Sequence, residues 1–464
     1  MTLDDIKLSK FYITFFMLLI FIYICNELDF TGKSIVVILI FAINGVFSWM
    51  NIIKDDRFIS LNKFFWYFQF VFMFLAPFCN YVSDYYPWKY YISNEEMIYG
   101  SVVVLLWNVI YFFVYYGNVF LARFVSKCSC FNFLLIGKEY STGYRMLVFL
   151  ISLISFLLVV HIVGLQELFF LDARNKELSG GTLYNLVIKT VSSFVTVCCC
   201  VFVRSYLKDE KSFVNILCML ITMVFCFCVF SPTGSPRQWF VGNFGGILLM
   251  LILRKKKSRF FDYLILAGLL VLFPFLHTFK DSTSDNMYEK ITSVVENYSI
   301  VSSLNNIDFD AFTLIPRTMD YVSRYGIEWG YQVFGTLFFF IPRSIWIDKP
   351  LVSSHLVVGA QNADFINLSF PLAAEAYLDY GVLGVVLFAI IYGIFNKYVD
   401  SMYWIRSKED ANNVINIIYP FLCIDTLILN RGPLLPEYIL IVVLIVPVIV
   451  INSFADKKID TSKI

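Results

Sequence analysis

Apolar runs long enough to cross a bilayer recur along the whole 464-residue chain, and this repetition constrains the fold more than any single motif. A hydrocarbon core about 30 Å thick takes ~20 apolar residues in a helix, and inside it every backbone polar group must be satisfied internally. With 59% hydrophobic residues and a mean hydropathy of +0.72, the chain reads as an all-α polytopic membrane protein. We expect twelve spans, near 11–25, 34–50, 63–80, 98–120, 146–165, 183–203, 213–230, 238–253, 260–279, 372–395, 413–430 and 437–453. Only Lys7 and Lys10 precede the first run, and no small-residue cleavage site follows it, so it reads as an uncleaved helix rather than a signal peptide.

Basic residues set the orientation. With the N-terminus inside, the inner connections carry 23 of the 36 Lys and Arg residues and the outer ones 12, although the outer ones are together longer. Short basic loops such as Arg254–Arg259 resist translocation and mark the cytoplasmic side. Both termini are therefore expected in the cytoplasm. One connection stands apart: residues 280–371 lie between the ninth and tenth spans on the outer face, too long for a structureless loop. We read it as a folded subdomain inserted in a single membrane domain covering 1–464. Pro316-Arg317, stopped by Gly326, predicts a short helix with Arg317 and Arg324 on one face. Residues 331–342 and 351–366 are too short to span and are expected in or near the interface.

A net charge of +1 argues against nucleic acid as a partner. The eleven cysteines fall in spans or in the inner loop 121–145, with no disulfide framework and no metal-ligand spacing, so neither metal nor cofactor is expected. Cys198-Cys199-Cys200 reads as small apolar filler.

Charge on the expected outer face is the informative residue. In FFFIPRSIWIDKP, Phe338–Pro350, an aromatic run breaks at Pro342 and delivers Arg343, Asp348 and Lys349 beside Trp346. Pro-Arg also occurs at 236–237 and 316–317, and Arg431 stands two residues before Pro433. Proline ends or bends a helix and frees backbone groups, while arginine offers a planar fork matched to phosphate oxygens. Arg237, Arg317, Arg324, Arg343 and Arg431, with Lys349 and Trp346, are the candidate binding residues for a diphosphate. The bland alternative is snorkelling to headgroups or pairing, as of Arg343 with Asp348 or Arg431 with Glu437. Glu375 and Asp379, four apart at the entry to the tenth span, share a helical face; with His355 they are the candidates for proton transfer, and Asp364 is a further carboxylate nearby. Pairing of Glu375 with Arg343 or Lys349 is the structural alternative, and a lone histidine is more often an interface residue than a base.

The segment Phe340–Pro350, followed by Glu375-Ala-Tyr-Leu-Asp-Tyr-Gly-Val-Leu-Gly384, resembles the signature of Wzy-type O-antigen and oligosaccharide repeat-unit polymerases. Arg237 in Ser-Pro-Thr-Gly-Ser-Pro-Arg-Gln resembles another arginine of that family, and the span count, inside termini and late outer loop agree over nearly the whole chain. Ile347 stands where a proline is common, and Asp379 where an asparagine is common.

The resemblance implies the fold of the membrane-embedded C-type glycosyltransferases and glycosyl transfer at the periplasmic face of a bacterial inner membrane. Donor and acceptor would both be undecaprenyl-diphosphate-linked oligosaccharides, with membrane lipids and a chain-length regulator protein as further partners. Fixed arginines would stabilise charge on the departing diphosphate without a metal. Two alternatives stay open: a flippase or transporter of the same lipid-linked oligosaccharide, and an O-antigen ligase. A flippase should show related halves and a charged central cavity.

Overall fold

The computed structural model describes residues 3–117, 129–170, 182–208, 212–252, 259–272, 299–361, 365–407 and 412–457. Asp364, His277, the first part of the long connection (280–298) and the end of the expected ninth span lie outside these residues.

The chain folds almost entirely as helices. The membrane part comprises α1 (Leu3–Glu27), α2 (Ile35–Lys54), α3 (Leu61–Phe70), α4 (Ala76–Val82), α5 (Asn94–Tyr116), α6 (Thr142–Val163), α7 (Thr182–Leu207), α8 (Phe213–Val229), α9 (Arg237–Ile252) and α10 (Phe260–Ala267). Residues 299–371 carry α11 (Ile300–Leu304), α12 (Leu314–Tyr325), α13 (Tyr331–Leu337) and α14 (Ser353–Gly359). Then follow α15 (Leu372–Ser401), α16 (Val414–Arg431) and α17 (Leu434–Ser453). Two short strands, Lys138–Glu139 and Asp456–Lys457, pair antiparallel.

Among the described residues, nine helical stretches are long and apolar enough to cross a membrane. Two of the other expected spans are shorter helices, α8 with 17 residues and α9 with 16. At 1.5 Å per residue each is about 25 Å long. The expected span from 260 is helical to Ala267 and continues as a π turn over Gly268–Leu272.

Local sequence explains the elements. Ser93 and Glu96 form a reciprocal capping box at the start of α5, and the side chains of Ser60, Ser141, Ser212 and Asn413 accept backbone N–H groups at four other helix starts. Leu61–Val82 would be one helix but for Pro77, which has no N–H and crowds the preceding turn. A π turn at Val71–Leu75 absorbs the fault, with Ala76 N–H donating to the carbonyl of Val71. This stretch is buried all round, whereas only 17% of the Lys7–Glu27 window is buried. The first is thus the central post of the bundle and the second a peripheral helix, presenting Phe15, Leu19 and Ile22 outward.

Two apolar cores flank that post. One joins α2, α3–α4, α5, α12 and α15, including Phe41, Trp66, Tyr111 and Phe312. The other joins α6, α7, α8, α9, α16 and α17, including Cys198, Cys199, Cys200, Phe202 and Tyr419. α3 packs on α16, which links them.

Polar side chains gather at the two ends of the bundle. At the end away from 299–371, Asp400 of α15 accepts from the backbone N–H of Leu61 (3.0 Å) and from the hydroxyls of Tyr115 (2.6 Å) and Tyr419 (2.7 Å). Beside it, Lys63 meets Asp262 at 2.7 Å with both side chains fully buried. The other end carries α11–α14 and is the loop end. There α15 breaks: Tyr380 and Gly381 leave helical geometry, and Gly381 takes φ 60, ψ −146, a region essentially closed to other residues. The break separates a buried opening segment, Leu372–Asp379, about two turns long and bearing Glu375 and Asp379, from the apolar shaft.

Candidate functional site

At the loop end, three pieces of chain are tied together by hydrogen bonds from backbone N–H groups. Phe370 N–H donates to the carbonyl of Arg431 (2.8 Å), Ser369 N–H to Asp310 (3.4 Å), and Leu434 N–H to Glu375 (2.8 Å). Segment 308–310, segment 369–375 and the α16–α17 turn therefore form one surface.

Asp308 sits on it in a one-turn helix started by the Asn306 side chain. Two arginines from different helices face this carboxylate: Arg237, the first residue of α9, at 3.3 Å, and Arg431, the last of α16, at 3.9 Å. Both are partly exposed, 47% and 34% respectively. Two residues on, Asp310 is buried and accepts from Trp88 Nε1 at 2.7 Å, while its other oxygen has no hydrogen-bond partner. Burial pushes the Asp310 carboxyl above its ordinary pKa; the Arg431 guanidinium is the largest opposing influence.

The other expected binding residues are placed differently. Arg317, on α12, is buried, donates Nε–H to Gln361 (2.9 Å) and lies over the Tyr90 ring at 4.3 Å. Burial lowers its pKa, and Tyr90 and Asp310 offset this in part. Arg324 forms an exposed i,i+4 pair with Asp320 at 2.9 Å. Arg343 donates to two carbonyls of its own loop, Lys349 (2.5 Å) and Pro350 (2.9 Å). Lys349 returns the favour, its Nζ donating to the carbonyls of Phe339 (2.6 Å) and Ile341 (2.9 Å). Desolvation, then the nearby Arg343 charge, lowers the Lys349 pKa. These two cations lace 339–350 shut, and Trp346 packs edge-on against Tyr331 at 5.8 Å. Arg343 is nonetheless exposed, so its remaining N–H groups face outward.

The candidate proton-transfer groups lie beneath. Glu375 is wholly buried and accepts from Ser353 Oγ (2.7 Å) and Leu434 N–H (2.8 Å), not from Arg343 or Lys349. Asp379 is also buried and accepts from Gln332 N–H (3.2 Å) at the first turn of α13. His355 stands two residues after Ser353 on α14, half-buried, and desolvation lowers its pKa. Among the described residues, no group of three or more His, Cys, Asp or Glu is placed to hold a metal ion.

Sequence reasoning missed Asp308, Asp310 and Trp88, which no spacing connects to the arginines. It also missed a cavity of about 30 Å³ between α7, α9, α16 and α17, lined among others by Lys189, Gln238, Trp239, Asn243 and Asp425. The signal was present: Lys189 and Asp425 are ionisable residues inside apolar runs.

Chemically, the surface presents two guanidiniums converging from independent helices on one acidic oxygen pair. That arrangement suits an anion with several oxygens, and Asp308 is the carboxylate that both arginines meet here. No protein-family model, curated protein or solved structure matches the chain.

Proposed function

We propose that this protein is a surface-polysaccharide polymerase of the Wzy type, which transfers a growing glycan from undecaprenyl diphosphate to the terminal hydroxyl of a lipid-linked repeat unit. The observation that carries the reading is the convergence of Arg237 and Arg431 on Asp308 at the loop end. A departing diphosphate develops charge on several oxygens at once, and two fixed forks meet that charge without reorganising. In this reading the diphosphate takes the place of Asp308, while Arg343 and Lys349 shape the neighbouring loop. Glu375 is the proposed acceptor of the hydroxyl proton. Twelve crossings, cytoplasmic termini, an inner-membrane location and a periplasmic loop end belong to the same proposal, supported by the 23 to 12 partition of basic residues.

The test is chain growth by the purified full-length protein in lipid nanodiscs, supplied with lipid-linked repeat units. Long products that vanish on Arg237→Ala and Arg431→Ala support the reading. Single repeats passed to a lipid A core would indicate a ligase instead, and transbilayer movement of the repeat unit without bond formation a flippase. The charged cavity at Lys189 is the one feature that favours the flippase.

A further inference from the structure

A lysine and two carboxylates lie in the membrane part below the arginine surface, and nothing in glycosyl transfer calls for them there. Lys189 of α7 lies over the Trp239 ring at 4.6 Å. Asp425 of α16 lines the same cavity and is 91% buried. Glu437 of α17 is 2% exposed, interacts electrostatically with Lys189, Asp425 and Arg431, accepts from Gln238, and has one oxygen, Oε2, with no hydrogen-bond partner. From α9 the cavity receives only neutral groups, Gln238, Trp239 and Asn243. Arg431 is the remaining charge, but it is one-third exposed and shared with Asp308. Its field is therefore screened. In the dry part of the site one cation faces two carboxyls.

We propose that Lys189, Asp425 and Glu437 form a proton-binding site, in which the two carboxyls hold one proton between them at neutral pH. A second uncompensated negative charge in a desolvated place is strongly unfavourable, whereas a shared proton removes it. A volume of about 30 Å³ whose lining includes Lys189, Gln238, Asn243 and Asp425 admits roughly two waters. Such waters would carry the proton to and from Asp425, while Gln238 links the cavity lining to Glu437. Gln238 adjoins Arg237 in sequence, and Glu437 interacts with Arg431, so exchange runs toward the loop end. This inference does not rest on the polymerase reading, since it concerns the resting protein.

Infrared spectroscopy of the full-length protein reconstituted in lipid bilayers at pH 7 reads protonated carboxyls directly. Glu437→Gln should remove one protonated carboxyl per protein, because Asp425 is then the one carboxyl of the site and shares its cavity with Lys189. Lys189→Met should add one, because neither carboxyl then has a cation. Loss of folding cannot give both signs, and other buried carboxyls such as Glu375 and Asp310 contribute a background common to all three proteins. No change in either variant, or the same sign in both, overturns the proposal. A wild-type signal abolished by sodium at fixed pH overturns it too, by assigning the site to a metal cation.

Discussion

If Asp308 stands where an anionic ligand belongs, removing its charge should tighten anion binding rather than weaken it. Asp308→Asn is the informative change, since it keeps the shape and leaves Arg237 and Arg431 in place. The size of the effect follows from exposure. The Arg237 pair is 3.3 Å long with its arginine 47% exposed, and the Arg431 pair is 3.9 Å long with its arginine 34% exposed. Partly solvated pairs of this kind are worth ~0.2–1 kcal/mol each. Freeing both arginines therefore lowers the competition by about 1 kcal/mol, a gain of roughly fivefold in affinity. Arg237→Ala acts in the opposite direction and more strongly. A hydrogen bond to a charged group contributes about 1.5–3 kcal/mol, so its loss weakens binding roughly 10- to 150-fold. The assay is binding of a short-chain polyprenyl diphosphate to the full-length protein in nanodiscs, at low and at moderate salt, because screening should shrink both effects. Unchanged or weaker binding by Asp308→Asn would refute the stand-in argument and leave Asp308 as a simple tether between α9 and α16.

Three further outcomes are expected. Arg343→Ala removes the donors to the carbonyls of Lys349 and Pro350, so it should open 339–350 to trypsin and lower stability by ~1–3 kcal/mol in thermal unfolding; Arg343→Lys should rescue little, because one ammonium cannot reproduce the fork. Glu375→Gln should keep the fold, since an amide oxygen still accepts from Leu434 N–H, while chain growth stops in the purified system; wild-type chain lengths would exclude Glu375 as the proton acceptor. Asp310 has a raised pKa in the folded state, so the native protein binds the proton more tightly than the unfolded chain; its contribution to stability is present at low pH and falls as pH rises from the ordinary carboxylate value to the raised one. Asp310→Asn should flatten that part of the stability profile, and an unaltered profile by urea unfolding would show that Arg431 and Trp88 fully offset the burial.

The helical membrane architecture was legible because bilayer physics leaves a mark about twenty residues long, which survives any detail of packing. Pro316 and Gly326 bracket α12 as capping chemistry requires, and Gly326 sits at φ 88 just past its end. The bounds of α8 and α9 were legible as well: the expected runs 213–230 and 238–253 meet helices at Phe213–Val229 and Arg237–Ile252, because Ser212, Ser231-Pro232 and Pro236 punctuate the sequence there. The break in α15 was hidden. Gly381 and Gly384 read as ordinary small residues, yet a Cβ at 384 would lie 1.9 Å from the carbonyl oxygen of Ala376, a contact created only once the helix has bent.

At the site, composition found the arginines but not their company. Proline-arginine pairs mark where helices end, and helix ends are where a membrane protein can present charge, so Arg237 and Arg431 were found by the same rule. Which two of the five arginines would meet depends on a carboxylate more than 70 residues from Arg237 and more than 120 from Arg431, and no local pattern encodes that distance. At Arg343 the same rule meets a different partner. There the proline frees the carbonyls of a loop that turns back on itself, and the nearest cations, Arg343 and Lys349, bond to carbonyls of that loop. An arginine beside a proline can thus serve the backbone that the proline has exposed or a ligand beyond it. At Arg237 the partner is a side chain from another element, and at Arg343 it is the loop itself. That difference is why the proposed diphosphate contacts lie at α9 and α16 rather than in Phe338–Pro350.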